Sequence, residues 1–308
     1  MDTFSFHHIP VLFQETLGAL NINPEGTYVD CTAGGGGHSR AIAERLAGGR
    51  LIAIDRDPEA IKVLEERLGI YKNITIVHDN FFNLRSILAS LGIGAVDGIL
   101  ADLGVSSHQL DDASRGFSFH KNASLDMRMS MEGMSAGDAV NTLPRQDLRR
   151  IISEYGEEKF APAIASAIVR ARETKPIETT LELSDIISGA VPAAARRDGH
   201  PARKTFQALR IYVNGELDGL SQAVSDMVDC LKPGGRVCVI SFHSLEDRAV
   251  KQALAEKAKG CICPKNFPVC VCGRQPEIKI LKAATPGEKE SAENPRSRSA
   301  KLRAAEKL

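Results

Sequence analysis

The sequence predicts an α/β protein: a Rossmann-like, doubly wound parallel sheet interrupted by an inserted helical domain. Three observations carry this expectation. Short apolar runs rich in β-branched residues alternate with helix-patterned segments through the first hundred or so positions, as parallel sheets covered on both faces require. A run of four glycines, Gly34–Gly37, directly follows the first such run. The alternation then lapses from 113 to 215, where the pattern is helical and polar, and resumes afterwards.

Thr27–Asp30 reads as the first strand, and HSRAIAERL (38–46) as the helix after the glycine turn. Arg50–Asp55 is the second strand, bounded by Gly48 and Gly49. Pro58 suits the first turn of the next helix, where a missing N–H costs nothing. Ile74–Val77, a helix over 82–91 and Val96–Leu103 complete the first half. After the insert, the spacing predicts a helix over 216–231, a strand over Gly235–Phe242, a helix over 245–257 and final strands at Glu277–Leu281 and near the C-terminus. The expected boundaries are 1–112 with 216–308 for the sheet domain and 113–215 for the insert.

A chain of 308 residues with 43% hydrophobic and 25% charged residues is globular in composition, which excludes wholesale disorder. No apolar run reaches the ~20 residues of a membrane span. The opening MDTFSFHHIP lacks the basic and apolar regions of a signal peptide, so a cytoplasmic location is expected. The net charge of zero hides an asymmetry: 1–113 hold 8 basic and 15 acidic residues, whereas 114–215 hold 15 and 12. A basic later part points to a polyanionic partner.

The glycine turn is the first site candidate. Without Cβ atoms the backbone there admits a ligand closely. Asp55 ends the second strand about twenty residues later, where a carboxylate takes both hydroxyls of a ribose. A dinucleotide fingerprint starting at Gly34 would need Gly or Ala at the place held by Ser39, which disfavours a nicotinamide dehydrogenase, and the Gly-Lys-Ser/Thr of a phosphate loop is absent. Asp30 ahead of the glycines would repel a pyrophosphate but accept from an ammonium. A nucleoside joined to an amino acid without phosphate is S-adenosylmethionine. Phe81 in HDNFF (78–82) is placed to pack on its adenine, and Asp102, at the end of the fourth strand, points to the crevice beyond the strand ends.

Taken together, DCTAGGGGHS (30–39), AIDRDP (53–58), ADLGVSSHQLDDASRGFSF (101–119), LDMRM (125–129), YGEEKFA (155–161), HPARKTFQALRIYVNGEL (200–217), ISFHSLEDRAVK (240–251) and ENPRSRSAKLRAAEK (293–307) resemble the 16S ribosomal RNA cytosine-N4 methyltransferase family, almost end to end. The resemblance implies a class I methyltransferase sheet with an inserted helical domain, and methyl transfer to cytosine 1402 near the decoding centre of the small ribosomal subunit. Carried over position by position, its cofactor contacts fall on Gly36, Gly37, His38, Asp55, Phe81, Asp102 and Gln109.

An exocyclic amine conjugated with its ring is a poor nucleophile. It must be aligned with the methyl carbon at ~3–3.5 Å and offered an acceptor for its hydrogens. Unrelated amino-methyltransferases place an acidic or amide residue before Pro-Pro-aromatic at this strand end; here the residues are Asp102-Leu103-Gly104-Val105. The catalytic group therefore lies among Asp102, Ser106 and Ser107, with Asp102 equally suited to the cofactor. No covalent enzyme intermediate is needed. The base must be unpaired or extruded to be read at its Watson–Crick edge. For the RNA backbone the candidates are Arg196, Arg197, Arg203, Lys204 and Arg210. His243 either lines the acceptor pocket or merely precedes a helix capped by Ser244 and Asp247. Cys261, Cys263, Cys270 and Cys272 supply four thiols, enough for a structural zinc, although the Cys-x-Cys spacing is tighter than the usual two to four intervening residues. A DNA or protein amino-methyltransferase, and an assembly factor with a vestigial cofactor fold, are the competing readings.

Overall fold

The computed structural model describes residues 10–194, 199–264, 269 and 271–308. Arg196, Arg197 and Cys270 lie outside the described residues. In chain order the elements are α1 (Phe13–Leu20), β1 (Thr27–Asp30), α2 (Gly37–Ala43), β2 (Arg50–Asp55), α3 (Pro58–Leu68), β3 (Ile74–His78), α4 (Leu84–Ser90) and β4 (Val96–Asp102). Then come α5 (Ser107–Asp111), α6 (Ala136–Thr142), α7 (Arg145–Gly156), α8 (Ala161–Arg172), α9 (Thr180–Ala190) and α10 (Arg203–Asn214). The chain continues with α11 (Leu220–Asp229), β5 (Leu231–Ser241), α12 (Ser244–Ala258), β6 (Ile278–Ile280), α13 (Glu288–Glu293) and β7 (Lys301–Lys307). Two compact units result, Met1–Gly104 with Gly219–Leu308, and Val105–Asp218.

The first unit is built on a seven-stranded sheet in the order β3-β2-β1-β4-β5-β7-β6. β1 pairs in parallel with β2 and β4, in register Val29 with Ile52 and Ile99. β3 and β5 extend the parallel part on either side. The sheet is not parallel throughout: β7 runs antiparallel between β5 and β6. The chain lays β6 at the edge and returns after α13 to fill the gap against the direction of both neighbours. Leu51, Ile52, Ala53 and Ile54 are at most 1% exposed, which is why β2 reads as an unbroken apolar run rather than an alternating one. Asp57 caps α3 by accepting from Glu59 N–H at 2.9 Å, and Pro58 takes the first helical position as expected.

The second unit is helical. Leu148, Ile151 and Ile152 of α7 lie three and four residues apart and share one buried face. Leu148 and Ile152 pack in a core with Ile164 and Ile168 of α8, Leu183 and Ile187 of α9, and Phe206 and Leu209 of α10. Thr179 and Glu182 form a capping box at the start of α9, and Ser135 and Asp138 one at the start of α6. The irregular segment before α6 is pinned from inside. Asn214 accepts from Met129 N–H at 2.7 Å and donates to Met127 O at 2.7 Å. Arg115, 6% exposed, donates to the carbonyls of Arg128 and Met129. No described helix is long and apolar enough to cross a membrane.

Candidate active site

Open α/β sheets bind ligands beyond the carboxyl ends of their strands. In the first unit those ends carry Asp30 (β1), Asp55 (β2), Asp102 (β4) and the turn from β5 into α12. The glycine turn after β1 is shaped by the protein itself. Gly34 and Gly36 have φ of 49° and 81°. A Cβ on Gly37 would lie 2.5 Å from Pro10 Cγ, and one on Gly36 3.0 Å from Leu68 Cδ1. Gly35 alone among Gly35–Gly37 has both room and ordinary φ, its nearest atom being Arg67 Nη1 at 3.6 Å. The glycines thus serve the fold before they serve a ligand.

Asp30 does not offer its carboxylate to an ammonium. It is 1% exposed, and its oxygens accept from Ser39 Oγ at 2.6 Å and Thr32 N–H at 3.2 Å. Burial raises its pKa to about 6, against those hydrogen bonds and helped by the charge of Asp55. Ser39, one turn into α2, explains why: its hydroxyl closes over the strand end. Asp55, by contrast, is half-buried. Its Oδ2 accepts from Gly34 N–H at 2.7 Å and its Oδ1 from Asp57 N–H at 2.9 Å. The Arg56 N–H also acts on this carboxylate, and of its roughly four acceptor sites at least one stays open for a ribose hydroxyl. Burial raises the Asp55 pKa, opposed by the N–H groups of Asp57 and Gly34.

His38, 5% exposed, stacks on Phe13 with centroids 5.8 Å apart, and its Nε2 is 3.9 Å from Asp102 Oδ2. Thr32 Oγ1 accepts from Asp102 N–H at 2.6 Å, fixing the end of β4 against the glycine turn. Asp102 keeps 25% of its side chain exposed, yet its Oδ1 is buried with no hydrogen-bond partner among the described residues. An unpaired buried acceptor is costly unless something else fills the role. Burial first, then the neighbouring charges of Asp30 and Glu246, push the Asp102 pKa up to about 8. A carboxyl poised near neutrality is what proton transfer needs.

Glu246 was not anticipated. It is 1% exposed and accepts from Phe242 N–H at 2.8 Å, and its Oε1 lies 3.2 Å from His243 Nε2. The expected Ser244–Asp247 cap is displaced by one residue: His243 caps α12, with Glu246 N–H donating to its Nδ1 at 3.4 Å. Asp247 is drawn away by Arg303, at 2.6 and 3.0 Å, and by Lys301 at 3.1 Å. A His-x-x-Glu spacing was the available signal. Phe81 is half-buried in a single 3-10 turn after β3, edge-on to Phe82 at 4.7 Å.

Ser106, Ser107 and Gln109 belong to the second unit. Ser106 caps α5 by accepting from Gln109 N–H at 3.2 Å, while Gln109 Oε1 accepts from Ser106 N–H at 2.9 Å. Ser107 is the first residue of that helix. Among the basic candidates, Arg203 and Lys204 are exposed at the start of α10, and Lys204 donates to Glu157 O at 3.0 Å. Arg210 is committed elsewhere, in a two-armed pair with Glu216 at 2.8 Å and 2.8 Å. The Sγ atoms of Cys261, Cys263 and Cys272 lie within 4.8 Å of one another, and the N–H groups of Ile262 and Val271 approach the Sγ atoms of Cys272 and Cys263 at 3.4 Å.

A sheet ordered 3-2-1-4-5-7-6 with one reversed strand, and acidic groups at the ends of β1, β2 and β4, defines the class: a class I, Rossmann-like methyltransferase fold. The pattern of the MraW methylase family matches residues 5–308, and the chain belongs to that family. It is similar to a curated protein of Pelobacter propionicus named ribosomal RNA small subunit methyltransferase H, 55% identical over 310 residues and covering 98% of this chain and 99% of the relative. Proteins of the same name from Clostridium botulinum strain Kyoto and Brevibacillus brevis are 53% and 52% identical, the latter covering 100% of both chains.

Proposed function

We propose that the protein transfers the methyl group of S-adenosylmethionine to the exocyclic N4 of cytosine 1402 in 16S ribosomal RNA, acting on the small ribosomal subunit in the cytoplasm. The observation that carries this reading is Asp102: a carboxyl at the end of β4, its Oδ1 unpartnered, raised to about 8, beside a ribose-ready Asp55 in the same unit. Relatives named for small-subunit rRNA methylation support the substrate.

The residues fit the cofactor as follows. Asp55 would hold the ribose through an acceptor site its backbone N–H partners leave open. Gly36, Gly37 and His38 line the turn, and Phe81 packs on the adenine. When bound, the sulfonium supplies the electrophilic methyl group. In its ionised form, which gains population as pH rises toward about 8, Asp102 accepts a hydrogen bond from the cytosine amine, draws its lone pair out of conjugation and takes the proton released on transfer. Ser106 is the weaker candidate because its hydroxyl already caps α5. The charge of buried Glu246 raises the Asp102 pKa and so favours uptake of that proton. Gln109 of the second unit is the remaining cofactor candidate, and Arg203 and Lys204 are the candidates for RNA phosphates. Cys261, Cys263 and Cys272 are a set suited to structural zinc.

The test has two parts. Methyl transfer from labelled S-adenosylmethionine to purified small subunits is expected to mark one cytosine, and rRNA from cells lacking the protein is expected to lack that mark by mass mapping. Methylation of free DNA or protein instead would overturn the substrate. An Asp102→Asn protein that binds cofactor normally but has lost the chemical step supports the proton role, whereas loss of cofactor binding alone assigns Asp102 to the cofactor.

A further inference from the structure

The second unit carries an aromatic cluster that neither the cofactor site nor the thiols use. Phe206 of α10, 3% exposed, is rooted in the helical core and meets Phe119 edge-on, with centroids 5.5 Å apart and planes at 78°. Phe119 is half-buried and stacks on His200 at 4.5 Å and 24°. His120, exposed, leans on Phe119 at 4.3 Å and sits 5.4 Å from His200. His200 is held in place because its Nδ1 accepts from Ala202 N–H at 3.3 Å. Three rings thus climb from a fixed core residue to the surface in van der Waals succession.

Cations neighbour this cluster along the chain. Arg203 follows His200 by three residues and acts on it electrostatically, and Lys121 follows His120 directly. Lys121 donates to Asp111 O at 3.1 Å and Lys204 to Glu157 O at 3.0 Å. A carbonyl satisfies a hydrogen bond without neutralising a charge. None of Lys121, Arg203 and Lys204 pairs with a carboxylate among the described residues. Burial, with the charges of His120 and Arg203, lowers the His200 pKa, so its ring is neutral at neutral pH and suited to stacking.

We propose that Phe119, His120 and His200 form a stacking platform for an unpaired base of the RNA substrate, flanked by Lys121, Arg203 and Lys204 for its phosphates. Rings graded from buried to exposed and bordered by unneutralised cations are the equipment with which proteins hold single-stranded nucleic acid, the rings taking the bases and the cations the backbone. Arg203 acts on His200, and Lys121 and Lys204 are exposed beside His120 and Arg203 in the chain, charges that complement a polyanion better than an apolar protein partner. The inference rests on the rRNA reading above and assigns a contact it lacks: the grip on a base, as distinct from the backbone.

The experiment uses the full chain and a short unstructured RNA carrying 2-aminopurine, whose fluorescence is quenched when it stacks. His120→Ala, at an exposed position, is expected to weaken binding by roughly fivefold or more and to lose quenching. His120→Phe is expected to restore both. Phe119→Leu keeps apolar bulk against Phe206 and is expected to behave like His120→Ala. Ring removal displaces no counterion, so the slope of log K against log salt stays at its wild-type value. The Arg203→Ala/Lys204→Ala double variant flattens that slope by roughly 0.7 per lost contact. Unchanged affinity and quenching in both ring variants, or a wild-type chain that does not quench the probe at all, overturns the platform. The function is read separately, by methyl transfer to small subunits, so a failed platform leaves it standing and a failed function is seen without it.

Discussion

Asp55 does two jobs at once, and its removal should show both. Its oxygens hold the N–H groups of Gly34 and Asp57, so Asp55→Ala leaves two donors without their acceptor besides stripping the ribose of its partner. The expected result is at least a tenfold loss of cofactor affinity by calorimetry, together with about 1–3 kcal/mol of stability by denaturant titration. Unchanged affinity in a folded variant would remove the ribose assignment. Asp102 has the opposite character. Its carboxyl titrates at about 8 in the fold but at an ordinary carboxylate value when unfolded. Between those values the folded state holds a proton that the unfolded chain has released, so stability falls as pH rises from about 4 to about 8. Asp102→Asn should flatten that decline in thermal melts across the range. The positions of both aspartates were legible in the sequence, because each closes an apolar run that reads as a strand. The engagement of Asp30 by Ser39 and the burial of Glu246 were not, since both follow from packing across elements distant in the chain.

At the scale of elements, strand and helix positions followed from apolar periodicity, while α1 was missed. Its first residue is preceded by Leu12 in a left-handed conformation, with no side-chain cap. Leu12 N–H finds its acceptor on Glu290 at 2.8 Å, a partner that no local pattern announces. The segment before α6 likewise owes its form to α10. Met127 has φ of 61°, a strained value for a side chain with a Cβ, and Asn214 holds the backbone that follows it, at the Met127 carbonyl and the Met129 N–H. Asn214→Ala should therefore cost about 2–3 kcal/mol or more and raise hydrogen exchange at 127–129 ahead of the rest of the unit. The thiol-bearing segment after α12 is testable by composition alone. If the thiols hold zinc, protein purified without added metal should contain close to one zinc per chain, and a chelator should loosen the segment without releasing cofactor. Metal near zero would leave the thiols as reduced surface groups.

Across the whole molecule, each unit owns its core. The cluster around Leu148, Ile164 and Phe206 lies entirely within 105–218, while the apolar residues around Leu51, Leu100 and Ile240 lie in the other unit. A ligand held by the sheet's strand ends stabilises the unit that binds it, by about 2.7 kcal/mol at a hundredfold excess over its dissociation constant. Calorimetric scans with S-adenosylmethionine should accordingly raise the melting of the sheet unit more than that of the helical one. Equal shifts would mean that both units unfold as one. The lapse in alternation marks an insert over 113–215, whereas the second compact unit runs Val105–Asp218; the reversal of β7 was not readable, because a seven-residue run carries no mark of direction.

That reversed strand has a consequence for biosynthesis. β7 sits inside the sheet, between β5 and β6, although it is the last of the strands to be made. Until a ribosome has translated past residue 307 and released it from the exit tunnel, the β5 edge that β7 later covers stays bare, and Asp247 lacks Arg303 and Lys301. A nascent chain from which β7 has not yet emerged is therefore a ready substrate for chaperones, and a premature stop between residues 258 and 301 yields a sticky, proteolysis-prone fragment even though every cofactor candidate is already present.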